Sequence, residues 1–331
     1  MTQPMRRAEM WSKGKGRRGE QLMVPRATFS SYYGRPVIKK PVWAELDIAG
    51  YLFTGGIAGG SALLAAGADR RDLPTLRRVT RMSSMAALAV SGGALVHDLG
   101  RPARFYNMLR VFKPTSPMSV GSWLLSAFAV PVGIGFADEM PGLVPPPLRP
   151  VVRGLAPTAS AAGALLGSGV ATYTAVLICD TAVPSWNAAY PEMPFVFAGS
   201  ALSGSAGLAL ALTPCAESGP ARRLAFLGAA LELAASQRLE QRLGVVGEPY
   251  KKLPSGRKMK LAKALTLGGV AASTLFARRS RTMAIASGAA LVAASALTRF
   301  AIFEAGVASA EDPAYTVTPQ RERAEQRHDA R

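Results

Sequence analysis

Residues 43–67 read Trp43-Ala-Glu-Leu-Asp-Ile-Ala-Gly-Tyr-Leu-Phe-Thr-Gly-Gly-Ile-Ala-Gly-Gly-Ser-Ala-Leu-Leu-Ala-Ala-Gly67. No charged residue follows Asp47 until Asp69, so the stretch is long and apolar enough to cross a bilayer as a helix. Its first turns nevertheless carry an acid, Asp47, and one turn on a phenol, Tyr51. Two interleaved small-xxx-small pairs, Gly55/Gly59 and Gly56/Gly60, occupy its middle and let neighbouring backbones approach closely. An acid at the mouth of a membrane helix is costly and calls for a partner or a function.

The pattern repeats along the chain. Apolar blocks of about 18–25 residues alternate with short basic or proline-rich connectors, as in transmembrane helices. Eight such spans are expected, near 46–67, 79–98, 118–138, 154–179, 192–213, 221–240, 260–277 and 282–304. The mean hydropathy of only +0.17 reflects blocks built from Ala, Gly, Ser and Leu, together with a polar arm at each end. Residues 1–45 form a basic extramembrane arm in which Pro36 and Pro41 interrupt any helix, with Tyr32, Tyr33 and Trp43 suited to an interfacial belt. The polar tail after residue 305 is expected to be extended. The fold class is therefore an all-α integral membrane protein in the cell membrane.

The net charge of +18 does not point to nucleic acid. The cations lie between hydrophobic blocks and in the arm, where anionic head groups or an acidic partner account for them. The run Gly14-Lys-Gly-Arg-Arg-Gly19 matches a dinucleotide fingerprint only formally, because no strand precedes it and no helix follows. Neither Arg6-Arg7 nor Arg17-Arg18 precedes a short apolar stretch, so no cleavable signal is expected and the first span directs insertion. An even number of spans puts both termini on one face. About two thirds of the Lys and Arg lie on that face, which places the termini in the cytoplasm, whereas the short arginine-rich connectors taken alone favour the reverse.

The metal-binding residues are few. Two cysteines, Cys179 and Cys215, and two histidines, His97 and His328, provide neither the thiolates of an iron–sulfur cluster nor the paired ligands of a membrane haem. No metal site is expected, and any redox metal belongs to a partner.

Each polar site has a functional and a structural reading. Asp47 and Tyr51, spaced i, i+4, share a helix face and can present a carboxylate and a phenol to a small molecule. Equally, Asp47 can serve the helix dipole while Tyr51 anchors at the interface. His97 and Asp98 close the second span on the same face, where they can relay protons or cap a helix end. Tyr173 returns to that face from the fourth span, and its hydroxyl needs either a ligand or a backbone carbonyl. Glu232 and Arg299 lie in the sixth and eighth spans, as an interhelical pair or as part of a proton path; at a helix centre each charge costs about 2.5–3.5 kcal/mol. In Lys113-Pro-Thr-Ser-Pro117, Pro114 stops regular structure, Thr115 or Ser116 can N-cap the third span, and Pro117 suits its first turn.

Taken together, the first span with Asp47, Tyr51 and Gly55–Gly60, the segment Gly100-Arg-Pro-Ala-Arg-Phe105, Lys113–Pro117 with Gly121 and Trp123, and Tyr173-Thr174 resemble the NrfD/PsrC family. These are the membrane subunits of polysulfide reductase-type complexes. The motifs lie in the first half of the chain, and the second half matches mainly in layout. The resemblance implies two packed four-helix bundles, here 46–180 and 181–305, followed by a polar tail at 306–331. It implies a menaquinone or menaquinol site with no haem or cluster in this chain. It also implies a docked ferredoxin-like [4Fe–4S] subunit that serves a molybdopterin catalytic subunit, as in polysulfide reductase or formate dehydrogenase-like assemblies. The family's quinone-site positions fall on Asp47, Tyr51 and Tyr173, although an acid and a phenol here replace the amide and imidazole of some members. His97, Asp98, Glu232 and Arg299 are then proton-relay candidates, and Arg101, Arg104 and Lys113 belong to the docking surface. The rival readings are a proton or small-solute transporter using Glu232 and Arg299, and a passive anchor without a ligand.

Overall fold

The computed structural model describes residues 36–252 and 254–329. The arm up to residue 35, with Tyr32, Tyr33, both Arg-Arg pairs and the Gly14–Gly19 run, lies outside the described residues. Helices α1 (Glu45–Asp69), α2 (Pro74–Asp98), α3 (Pro117–Glu139) and α4 (Arg149–Cys179) come first. A short helix α5 (Pro184–Ala188) leads to α6 (Met193–Leu212), α7 (Gly219–Arg242), α8 (Pro254–Leu275) and α9 (Arg281–Glu311), and α10 (Ala314–Asp329) ends the chain. The eight long helices before α10 coincide with the eight apolar blocks. Six of them, α1, α2, α3, α4, α6 and α9, are long and apolar enough to cross a membrane. In α7 the charges Arg222, Arg223, Glu232, Arg238, Glu240 and Arg242 break up the apolar stretch, and in α8 Arg257, Lys258, Lys260 and Lys263 do so.

The most enclosed of the six is α1. Its glycine pairs explain why, because each pair serves a different neighbour. A Cβ on Gly59 would overlap the backbone of Gly167 in α4, while one on Gly60 would lie 2.9 Å from the Ala201 carbonyl in α6. These close approaches let α1 contact α2, α4, α6 and α9, joining the first group of helices to the second.

The tail is a correction. The α9 helix runs past its apolar block to Glu311, and α10 follows after Asp312-Pro313, so residues 306–311 and 314–329 are helical rather than extended. Small residues make the extension possible: a Cβ on Gly306 would overlap the Trp186 ring, and Ser309 Oγ accepts from the Ser185 N–H at 3.2 Å. Trp186, fully buried, donates to the Ile302 carbonyl at 2.8 Å and stacks on Trp43 at 6.0 Å between centroids. At α3, Pro117 is the first helical residue as expected, but Ser116 makes no side-chain capping bond. The hydroxyl of Ser119 instead bridges the Lys113 N–H and the Val111 carbonyl.

The end of the molecule where α1 begins is here the proximal end. At the distal end, ion pairs fasten α1, α2 and α3, and a hydrogen bond to Ser160 adds α4. Arg81, 5% exposed, bonds Asp69 at 2.9 Å, Asp138 at 2.7 Å, Glu139 at 3.1 Å and Ser160 at 3.0 Å. Arg77 adds a 2.7 Å contact to Glu139.

Glu217, in the α6–α7 loop, caps α2. It accepts from the N–H groups of Thr75 and Leu76 at 2.8 and 2.9 Å and from the Thr75 hydroxyl at 2.8 Å. Burial works to raise the pKa of Glu217, but those donors outweigh it and hold the carboxyl below its ordinary value. A carboxylate depressed in the fold contributes stability above its unfolded pKa of about 4.3, and the contribution is lost as pH falls through the folded value. Glu217→Gln is therefore expected to lower the unfolding temperature at neutral pH by the equivalent of about 1 kcal/mol. The gap to wild type should close in acid; thermal unfolding in detergent across the acid range tests this, and a gap independent of pH would contradict it.

Candidate functional site

At the proximal end α1–α4 enclose a slot of about 70 Å³. Trp43, Ile48 and Tyr51 form one wall, and Leu177, Ile178 and Tyr173 of α4 another. Leu95, Asp98 and Leu99 line it from α2 and its end, and Met118, Gly121 and Ser122 from α3. Tyr51 is 3% exposed and Tyr173 half-buried. Among the described residues neither hydroxyl has a hydrogen-bond partner, although buried phenols ordinarily find one. The Tyr173 ring lies directly against Gly121, where any side chain would overlap it. Glycine at that position is what lets the phenol cross from α4 to α3.

The polar groups around the slot divide their work. Asp98 lines it, and one oxygen accepts from the Ala44 N–H at 3.1 Å, fastening the start of α1. Asp47, one turn before Tyr51, meets His97 Nδ1 at 2.8 Å; the carboxylate is 19% exposed and the imidazole 80%. Asp47 does not itself line the slot; it sits one helical turn from Tyr51 and joins α1 to an exposed histidine at the end of α2. Arg101 and Arg104 are exposed, as is Lys113, and none forms an ion pair among the described residues.

Glu232 and Arg299 lie elsewhere, in the interior between α1, α6, α7 and α9. They do not form the ion pair that was one of their two sequence readings. Arg299, fully buried, donates from Nη2 to the Phe197 carbonyl at 2.8 Å and from Nε to the Leu52 carbonyl at 3.3 Å. Its guanidinium sits 3.8 Å above the Phe197 ring, a favourable cation–π position. Glu232 accepts instead from Thr298 at 2.9 Å and Ser203 at 3.3 Å. Each charge has found neutral donors or acceptors on a neighbouring helix.

Two features of the site escaped sequence reasoning. Leu95, Leu99, Met108 and Met118 line the slot, yet nothing in their spacing separates them from ordinary lipid-facing residues. Gly121 was noted only as part of a motif; its role becomes visible when Tyr173 lies over it.

A family model described as polysulphide reductase, NrfD, matches residues 36–223. The chain belongs to the NrfD family. The matched region runs from the arm into α7 and includes every residue that lines the slot. The NrfD chain is thus a multi-pass membrane protein of a family whose members act as membrane subunits alongside other oxidoreductase subunits. A search of curated proteins found no match to it.

Proposed function

We propose that this chain is the quinone-reactive membrane subunit of a multi-subunit molybdopterin/iron–sulfur oxidoreductase of polysulfide reductase or formate dehydrogenase type. It exchanges electrons between the menaquinone pool and a ferredoxin-like [4Fe–4S] subunit docked at the proximal end, which serves the molybdopterin subunit. All eight long helices cross the cell membrane as two four-helix bundles with cytoplasmic termini. Packing of α7 against α6, and of α8 against α9, supports counting these two helices as spans.

The observation that carries the reading is the slot, with two tyrosine hydroxyls that have no partner among the described residues, beside an Asp–His pair that reaches solvent. The lining fits a quinone ring in kind: flat aromatic and aliphatic walls with hydroxyl donors for ring oxygens. A quinol bound there supplies two electrons and two protons. Tyr51 and Tyr173 donate hydrogen bonds that hold and orient the ring. Asp47 would accept the two protons in succession and hand each to His97, whose exposed ring would exchange it with water. Arg101, Arg104 and Lys113 present positive charge to the docked subunit, whose clusters would take up both electrons. Glu232 and Arg299 form an inner relay within the second group of helices.

Purification in mild detergent tests the assembly. Iron and molybdenum are expected to co-purify with the chain, along with a cluster-bearing and a molybdopterin subunit. A homogeneous chain without metal would overturn the reading.

A further inference from the structure

The slot of about 70 Å³ is far smaller than the roughly 300–1,000 Å³ of pockets that enclose organic ligands. If it takes a quinone ring, one of its walls must part. The helices α1 and α4 approach backbone to backbone at Gly59 and Gly167, and α3 and α4 pack along much of their length. The α2–α3 seam is different. The two helices touch over few residues, and Arg77 and Arg81 of α2 hold Asp138 and Glu139 of α3 only at the distal end. On the proximal half no hydrogen bond or ion pair joins them among the described residues.

What fills the proximal seam is apolar and yielding. Leu95, Leu99, Met108 and Met118 all line the slot there, while Leu99 is 37% and Met118 52% exposed on the outer side. Unbranched methionine adapts readily to a changing gap. Just before this segment α2 carries Ser91-Gly92-Gly93. Packing does not require these glycines, since a Cβ on either would meet nothing within 4 Å. What they do provide is a weak point where a helix bends. Ser91 lies against α1, its hydroxyl 3.5 Å from the Tyr51 carbonyl, and beyond the glycines the side-chain ties of α2 among the described residues run from His97 to Asp47 of α1 and from Asp98 to Ala44 just before it. The end of α2 can therefore swing from α3 while staying attached to α1.

We propose that the α2–α3 seam is the bilayer entrance to the slot, that Gly92–Gly93 is its hinge, and that Leu95, Leu99, Met108 and Met118 bed the prenyl tail of the quinol. The inference rests on the quinone reading and adds its route. A groove of about 710 Å³ on the other side of Tyr173 is the competing route, but Thr115, Asp180, Asn187 and Tyr190 give it a polar rim unsuited to a polyprenyl chain.

The test uses the full chain in its co-purified complex and a fluorescent quinol analogue, 2-heptyl-4-hydroxyquinoline N-oxide, followed by stopped flow. Alanine at both glycines has room and is the better helix former, so the Gly92→Ala/Gly93→Ala variant should fold. Association and dissociation are both expected to slow about tenfold with Kd nearly unchanged, as for a stiffened gate. Unchanged rates, or a shift in Kd alone, overturn the entrance. An analogue carrying a diazirine at the end of its tail is expected to label residues 95–122; labelling within 172–190 assigns the route to the groove and leaves the ring site intact. Failure of the wild-type complex to bind the analogue at all defeats the quinone reading itself.

Discussion

Tyr51→Phe is expected to lower quinol-driven electron transfer about 10²-fold while the complex stays assembled, the usual scale for losing a hydrogen-bond donor aimed at a reacting oxygen. The substitution removes one oxygen from a side chain 3% exposed in the slot wall. If that hydroxyl served the fold, its loss would break a buried hydrogen bond and lower stability by about 1 kcal/mol. It has no such bond among the described residues, so the unfolding temperature without quinone should not fall. A large kinetic loss without a stability loss is the signature expected of a ligand contact. Asp47→Asn should leave the ring site intact but deprive His97 of its carboxylate, slowing turnover with a changed pH profile. Steady-state assays with a menaquinol analogue, paired with thermal unfolding, separate these effects. Full turnover in both variants would remove Tyr51 and Asp47 from the site.

The second large effect is structural and lies at the opposite end. Arg81→Met should destabilise the protein by about 3–5 kcal/mol, because it leaves Asp69, Asp138 and Glu139 facing one another without their shared cation. Arg77, with a side chain 36% exposed, shares part of this network but is better solvated. Arg77→Met should cost about 1 kcal/mol or less. Thermal unfolding in detergent reads both, and equal losses would show that burial does not govern this cluster. Weakening it also releases the distal fastening of α2 to α3, so the two variants probe what keeps those helices aligned.

How far the fold could be read from sequence depended on where the information is stored. The α1 helix was legible because an apolar length bounded by Asp47 and Asp69 is a local property. Its two glycine pairs announced close packing, though not that one pair meets α4 and the other α6. The polar tail gave no apolar signal, and α10 was missed because helix formation there does not depend on an apolar stripe. The Arg81 cluster was illegible for another reason. Its carboxylates lie 12, 57 and 58 residues away, and only the helix arrangement brings them together. Within the site, Asp47, Tyr51, His97 and Tyr173 could be assigned to one layer from the alternation of spans. That Asp98 lines the slot while Asp47 engages His97 depends on helix rotation, which a one-dimensional pattern leaves open. The same freedom let Arg299 turn to carbonyls and an aromatic ring rather than to Glu232.

The glycine faces of α1 also bear on biogenesis. A nascent chain delivers α1 to the bilayer long before α4 and α6 are synthesised, yet the surfaces of Gly59 and Gly60 are shaped for those two helices alone. Until then lipid must cover two grooves that fit it poorly, and α1, which enters before its partners, is among the last of the described helices to be fully enclosed. Enlarging Gly60 would therefore strike at maturation: the deficit would be seen in how much protein accumulates in the membrane, while the molecules that do assemble carry an unaltered slot.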